Sequence, residues 1–410
     1  MEINNTRTIN ELVSAIAYVL DVMNEDANLY HSWRVGIFAS EFAKKILPEE
    51  RKNIFYAALL HDIGYLALPN HIMHYLSIEE EPEKDPVIAS HPIIGAEITS
   101  QIPNLSTAAK YVLNHHEWFN GRGYPLGRQR TEIPRGAQII LLADQIDILL
   151  RNKSIHTTED IEKVIVTWSN ERTSSELIEE ALPILKDGTF LQEAIDKNTI
   201  TALFNKVRAD TGQIEMPPNV DAIGITCEIF SLLIDIKHPA MIGHSKRVSL
   251  YSLLIALAMN LSHDEITKIK WAALLHDVGK LGITRSLINK PGTFTHHEYE
   301  KMKQHAIFTR RLIETITDFK DVAFIASSDH ERYDGKGYPA GLKDDEIPLA
   351  TRIISVADAF DSMTSNRPYR KAIAIEGACK ELEKNAGTQF DPKVVKEAIP
   401  VLRNLAVSAR

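Results

Sequence analysis

Ala57-Ala58-Leu59-Leu60-His61-Asp62-Ile63-Gly64 and Ala272-Ala273-Leu274-Leu275-His276-Asp277-Val278-Gly279 are one phrase written twice in the chain. The second copy lies 215 positions after the first. His115-His116-Glu117 with Gly121-Arg122-Gly123-Tyr124-Pro125 returns 214 positions on as Asp329-His330-Glu331 with Gly335-Lys336-Gly337-Tyr338-Pro339. Glu132-Ile133-Pro134 returns as Glu346-Ile347-Pro348 at the same offset. A nearly constant offset across several patterns indicates a duplicated unit with few insertions. A chain of 410 residues also exceeds what one hydrophobic core usually serves. The expected division is a first domain at 1–208, a linker at 209–219 and a second domain at 220–410. Gly212 and Pro217-Pro218 mark the linker.

Around the repeated phrase the sequence reads as helix. Glu11 to Val22, Trp33 to Leu47, Ala222 to Ile236, Lys246 to Met259 and Asp264 to Leu275 carry apolar residues at spacings of three and four. Alternating strand patterns are nearly absent, so the expected architecture is all-α. The apolar run before each His-Asp pair is core packing.

Ligand-type residues travel with the repeat. The first half has His31, His61, Asp62, His91, His115, His116 and Asp144, and the second has His244, His276, Asp277, His305, Asp329, His330 and Asp358. A lone histidine in a helical protein is usually structural; repetition is what lifts these above that background. His71, His74, His156, His238, His263, His296 and His297 do not repeat and are read as surface or cap residues. Adjacent His and Asp at a helix end point about 100° apart. The imidazole can hold one ion while the carboxylate bridges to a second. Mixed imidazole and carboxylate ligation suits iron, manganese or a similar divalent ion. Two such ions can clamp a phosphodiester and activate water at neutral pH.

Composition removes other classes. The formal net charge is -9, and no stretch reads as a basic face, so a duplex nucleic-acid partner is not expected. Cys227 and Cys379 cannot form a disulfide framework, which fits a cytoplasmic location. Met1 to Asn10 is polar, without a signal-peptide core. No apolar run is long enough to span a bilayer, so direct membrane insertion is not expected.

Several segments together resemble the HD-GYP subgroup of the HD phosphohydrolase superfamily. They are Leu275-His276-Asp277-Val278-Gly279-Lys280, Lys290-Pro291-Gly292, Gln304-His305, the run from His330 to Pro339, Ala357-Asp358-Ala359-Phe360-Asp361, Asn366-Arg367-Pro368-Tyr369 and Phe390-Asp391-Pro392. The resemblance spans nearly all of the second half and, in weaker form, most of the first. It implies two tandem HD-type helical bundles, a two- or three-metal site and hydrolysis of a cyclic dinucleotide. The tandem layout is similar to that of HD-GYP phosphodiesterases acting on 3′3′-cGAMP; cyclic di-GMP is the other candidate substrate. By the same resemblance His244, His276, Asp277, His305, His330 and Asp358 take metal-ligand places, and Lys280 faces the phosphate. Arg367 presents a guanidinium to the ligand and Tyr338 lies near the nucleotide. Gly337 and Pro339 are read equally well as a structural turn.

Two departures bear on the metals. Asp329-His330 stands where the family usually has His-His. Members with three metals carry a Glu one helical turn before the first ligand, but Ala240 precedes His244 and Ala27 precedes His31, which favours two divalent ions. The halves also differ. Lys280, Asp334, Arg352 and Arg367 form the expected substrate-side set of the second half, whereas the first has Tyr65, Asn120, Gln138 and Lys153. The acidic run Glu79 to Asp85 replaces Lys-Pro-Gly. The expectation is a catalytic second domain, with Asp277 and Lys280 central, and a degenerate first domain that packs on or regulates it. A homodimer is compatible with this. The rivals are a receptor that binds the dinucleotide without turnover, and another HD-type nucleotide phosphohydrolase.

Overall fold

The computed structural model describes residues 5–23, 30–68, 86–151, 157–186, 188–216, 221–366 and 371–408. Ala27, the Glu79–Asp85 run, Asn152–Ile155, Pro217-Pro218, Arg367, His71, His74 and His156 lie outside the described residues. Among the described residues every extended regular element is a helix; the only β pairings are isolated bridges at Ser169–Thr173 and Ala386–Phe390. The all-α expectation is borne out. The chain forms two compact units, Met1–Ala222 and Ile223–Arg410.

The first unit runs α1 (Asn5–Met23), α2 (His31–Ile46), α3 (Arg51–Leu60), α4 (His91–Ser100), α5 (Ser106–Asn114), α6 (Arg135–Arg151), α7 (Thr158–Thr167), α8 (Ser175–Leu185), α9 (Gly188–Ile195) and α10 (Ile200–Thr211). Helix α1 buries Ile9, Leu12, Val13, Ile16 and Leu20, the single apolar face of a 3.6-residue period. In α3, Ile54 through Leu60 are all fully buried, so the phrase before His61 is core on every side. Gly36 lies inside α2, where an added Cβ would approach Leu59 Cδ2 to 2.8 Å; the glycine lets α2 and α3 cross closely. Part of the stretch expected as a linker is packed. Thr211 ends α10, and Ile214 is buried with its backbone N–H donating to Asn10 Oδ1 at 3.0 Å.

The second unit repeats the order with α11 (Ala222–Lys237), α12 (His244–Ala258), α13 (His263–Leu275), α14 (His296–Ile313), α15 (Lys320–Ala326), α16 (Leu349–Thr364), α17 (Ile375–Lys384) and α18 (Pro392–Ser408). Capping boxes start α13 (Ser262 with Glu265) and α14 (Thr295 with Glu298). His263, His296 and His297 sit exposed in those first turns, as expected of surface residues.

The entry into α2 and α12 is built alike. Asp21 accepts from the backbone N–H of Ser32 at 3.0 Å and from its hydroxyl at 2.7 Å. Asp235, 214 positions later, accepts from Gly243 N–H at 2.7 Å. The residue before each helix is left-handed, Tyr30 at φ 67° and Gly243 at φ 73°. Glycine takes that conformation without strain. The turn delivers His31 and His244 as the first residues of their helices.

Candidate metal centre

Five elements converge in each unit. In the first, α2 opens on His31, α3 ends just before His61 and Asp62, α4 opens on His91, α5 ends before His115 and His116, and α6 carries Asp144. The imidazoles are oriented by the backbone. Nδ1 of His61, His91 and His115 lies 2.7, 2.8 and 2.6 Å from the carbonyls of Ala58, Ile88 and Val112. His276 and His305 do the same with Ala273 (2.8 Å) and Met302 (2.6 Å). With Nδ1–H donating outward, each Nε2 presents its lone pair inward.

One aspartate divides its oxygens between two groups of donors. Asp62 Oδ2 lies 3.3 Å from His61 Nε2 and 3.5 Å from His31 Nε2, while Oδ1 lies 3.6 Å from His91 Nε2 and 3.8 Å from His115 Nε2. Asp277 repeats this: Oδ2 is 3.4 Å from His276 and 3.8 Å from His244, and Oδ1 is 3.9 Å from His305. The groups with cation-ligating spacing are His31, His61, Asp144 and Asp62, His91, His115, His116 in the first unit. In the second they are His244, His276, Asp358 and Asp277, His305, His330. Asp329 falls outside both groups. Its carboxylate is buried 3.5 Å from His330 Nε2, and neither oxygen has a hydrogen-bond partner among the described residues.

A divalent cation fits these donors. The Nε2 atoms of His91 and His115 face each other at 3.3 Å, yet both rings have already committed Nδ1–H to carbonyls. Two lone pairs cannot bond one another; a cation between them satisfies both. Asp277 Oδ1 is likewise buried without a hydrogen-bond partner. Burial, then the neighbouring imidazole, pushes His91 and His305 down to about 3, which keeps them in the neutral, ligating form. Burial opposes charge on His244, but Asp358 and Asp361 outweigh it and hold the ring up at about 9. Burial followed by nearby Asp277 and Asp358 raises Asp329 to about 7.

The HD domain family matches residues 8–163 and 228–394, which together make up most of the chain. The chain belongs to the HD domain family. It is 32% identical over 311 residues to a 3′3′-cGAMP-specific phosphodiesterase of Vibrio cholerae, covering 75% of this chain and 66% of that protein. It is 40% identical over 171 residues to a cyclic di-GMP phosphodiesterase of Thermotoga maritima, covering 41% of this chain and 46% of that protein. The matched regions thus span less than two thirds of either relative. The crystal structure of a cyclic GMP-AMP specific phosphodiesterase of V. cholerae superposes with a TM-score of 0.64 at 25% identity, covering 96% of this chain and 97% of that one. The resemblance expected from the motifs is borne out.

In both HD domains a second layer fixes the first ligand, and the ligand pattern alone does not reveal it. His31 Nδ1 lies 2.6 Å from Asp147 Oδ2, and Arg34 pairs with the same aspartate. His244 Nδ1 lies 2.7 Å from Asp361 Oδ2, which also takes Arg247 at 2.6 Å on its other oxygen. The carboxylate sets the tautomer that leaves Nε2 for a cation. The signal was in the sequence: Asp144-x-x-Asp147 returns as Asp358-x-x-Asp361, and His31-x-x-Arg34 as His244-x-x-Arg247.

The glycine after each His-Asp pair has a steric cause. A Cβ on Gly64 or Gly279 would lie 2.0 Å from the carbonyl oxygen of His91 or His305. Gly279→Ala should therefore separate the two ligand-bearing segments and destabilise the second HD domain by about 3 kcal/mol. Denaturant unfolding of the full chain reads this directly; an unshifted transition would contradict it. Gly337 is equally constrained, since its Cβ would meet Arg332 N at 2.4 Å. Tyr338 then stacks on His330, with centroids 4.8 Å apart at 25°, as Tyr124 does on His116 at 4.7 Å and 23°. The Gly-Tyr-Pro turn is thus both structural and part of the site.

The remaining expected residues divide. Lys280 Nζ lies 2.6 Å from Asp277 Oδ2; in the first domain Tyr65 takes that place and stacks on His91 with centroids 3.9 Å apart. Arg352 Nη1 donates to Asp391 at 2.7 Å and Asp345 at 2.9 Å, and so fastens the loop carrying Phe390 to α16. Asp334 pairs with Arg332 and accepts from Lys336 N–H at 3.1 Å. Asn120 accepts from Arg122 N–H at 2.9 Å in the matching turn, so the Asp-to-Asn difference leaves the turn intact.

A cavity of about 500 Å³ adjoins the second site, walled by Asp358, His330 and Tyr338 on one side and by Glu381, Asn385 and Gln389 on another. The corresponding turns of the two domains are related by 217 positions, as the bridges Ser169–Thr173 and Ala386–Phe390 and the pairs Phe119 N–Arg172 O and Tyr333 N–Gln389 O show. In the first domain Val164, Trp168 and Arg172 therefore replace Glu381, Asn385 and Gln389. The Arg172 guanidinium lies 4.6 Å from the Trp118 ring and 5.4 Å from the Trp168 ring, and donates to Gln145 at 2.5 Å. Arg172, the counterpart of Gln389 in the cavity wall, thus packs against two indoles.

Among the described residues no helix is long and apolar enough to cross a membrane.

Proposed function

We propose that this chain is a metal-dependent phosphodiesterase that opens a 3′–5′ phosphodiester of a cyclic dinucleotide, 3′3′-cGAMP or cyclic di-GMP. The second HD domain carries out the reaction and the first is regulatory. The supporting observation is Asp277, shared between two groups of donors beside a nucleotide-sized cavity. The names of the relatives point to the same substrate class. Buried, reduced Cys227 and Cys379 suit a cytoplasmic enzyme.

His244, His276 and Asp358 would hold one divalent ion of the iron or manganese type, and His305 and His330 a second, with Asp277 between them. When bound, such ions supply positive charge to the phosphoryl oxygens and acidity to water. Asp329, buried beside His330, offers a further carboxylate to the second ion. Lys280 stands at the inner carboxylate, where an ammonium can face charge building on the non-bridging oxygens. Tyr338 keeps the His330 ring in place by stacking. Lys336 and Arg332 bring positive charge to the cavity wall. Arg352 acts through Asp391, and Arg367, known here from its motif alone, supplies a guanidinium to the phosphate. The product is a linear dinucleotide, with mononucleotides following from a second cut.

Metal analysis of the purified chain, then chromatography of products from 3′3′-cGAMP and cyclic di-GMP in parallel, tests this reading. Absence of linear product from both with manganese or iron loaded would sink it. Lys280→Ala should leave metal content unchanged and lower kcat about 100-fold. Loss of metal from that variant would make Lys280 a structural partner of Asp277 instead.

A further inference from the structure

Resting on that reading, we infer that Glu381 and Asn385 select a guanine base in the substrate. The cavity runs from Asp358 and His330 to the end of α17. A phosphate held at the ligands must put its attached nucleoside into this space, whose volume of about 500 Å³ accepts a purine and its sugar. Tyr338 borders it with a ring that stacks on His330 and has Lys303 Nζ 5.7 Å from its centroid, and an aromatic contact to a base carries no choice of identity. Identity must then be read by polar groups further along the wall.

Those groups present acceptors. Asn385 Nδ2 donates to Glu381 Oε1 at 3.0 Å and to the Glu381 carbonyl at 2.8 Å. The amide is thereby oriented with Oδ1 as its remaining hydrogen-bonding atom, and the carboxylate, whose Oε1 also has Lys384 Nζ at 3.5 Å, keeps Oε2. Neither atom has a hydrogen-bond donor among the described residues. Guanine offers two adjacent donors, N1–H and the N2 amino group, on its Watson–Crick edge. Adenine offers one donor beside an acceptor, which would face a carboxylate lone pair unfavourably. The first domain lacks both acceptors: Val164 and Trp168 stand in these positions, and the Arg172 guanidinium lies 5.4 Å from the Trp168 ring. The acceptor pair stands beside the cavity of the second domain and is absent from the matching positions of the first.

The test uses the full chain and two mononucleotide probes, 5′-GMP and 5′-AMP, titrated calorimetrically into wild type and Glu381→Val, the residue of the first domain. Wild type should favour 5′-GMP by roughly tenfold or more, the scale of one bidentate base contact, and the variant should lose most of that preference. Glu381→Gln keeps the shape, replaces one acceptor by a donor, and should shift preference toward 5′-AMP. Equal binding of the two probes by wild type, or an unchanged preference in both variants, would overturn the inference. These measurements need no turnover. A chain that prefers 5′-GMP through Glu381 yet cleaves no cyclic dinucleotide would refute the phosphodiesterase reading and leave base selection standing.

Discussion

Asp277→Ala should abolish turnover, lowering it by at least about 1,000-fold, and should strip most of the bound metal. The expectation follows from where its two oxygens go. Oδ2 serves the His244 and His276 side and Oδ1 the His305 side, so one carboxylate reaches both groups. Removing it also leaves the Lys280 ammonium beside buried imidazoles without the counter-charge it now meets at 2.6 Å. A cation would then enter a pocket already holding an unopposed positive charge, and an unpaired buried charge is costly. Metal content and product formation should be measured on the same preparation. Near-normal activity with full metal content would remove Asp277 from its bridging role.

The ligands were legible because they are covalently tied to a repeat. His61-Asp62 and His276-Asp277 sit at helix ends whose apolar lead-in is obligatory core, so the phrase could drift little after duplication. The outer layer was legible in principle, since Asp147 and Asp361 recur at 214 positions, but aspartates are common and only contact with His31 and His244 gives them meaning. The cavity wall was not legible. Between α6 and α7 the offset changes from 214 to 217, so a constant shift pairs Glu381 with Thr167 instead of Val164. The turns that restore the correspondence are fixed by backbone hydrogen bonds, Phe119 to Arg172 and Tyr333 to Gln389, which no side-chain pattern announces. The Trp118–Arg172–Trp168 stack is likewise assembled from segments about 50 residues apart. Charge lost at Lys280 and Arg352 is visible between the halves as sequence; the packing of Arg172 on two indoles is not.

The proposed division of labour rests on these differences between the domains. Holding a cation needs only the donors, and the first domain has the fuller set, with His115 and His116 both grouped with Asp62 and His91. Turnover also needs room for the nucleotide and charge on the phosphate side, because catalysis requires stronger binding of the transition state than of the ground state. In the first domain Arg172 packs on two indoles at the positions of the cavity wall, and Tyr65 stacked on His91 takes the place of the Lys280 ammonium. Changing His61 and Asp62 together to Ala should therefore lower activity only partly, by no more than about tenfold, through loss of a regulatory contribution. Changing His276 and Asp277 together to Ala should remove activity altogether. Both variants must be compared at equal folded fraction, since emptying a metal site can unfold the domain around it. A dead first-domain variant beside an active second-domain variant would reverse the assignment. It would mean that the fuller histidine set, and not the open cavity, marks the catalytic centre. Replacing Arg172 by Gln, the residue of the second domain, separates the two ideas further. If Arg172 alone keeps a nucleotide out of the first domain, that variant should gain binding of 5′-GMP and 5′-AMP alike, since the Glu381 and Asn385 counterparts are Val164 and Trp168, while its metal content stays constant.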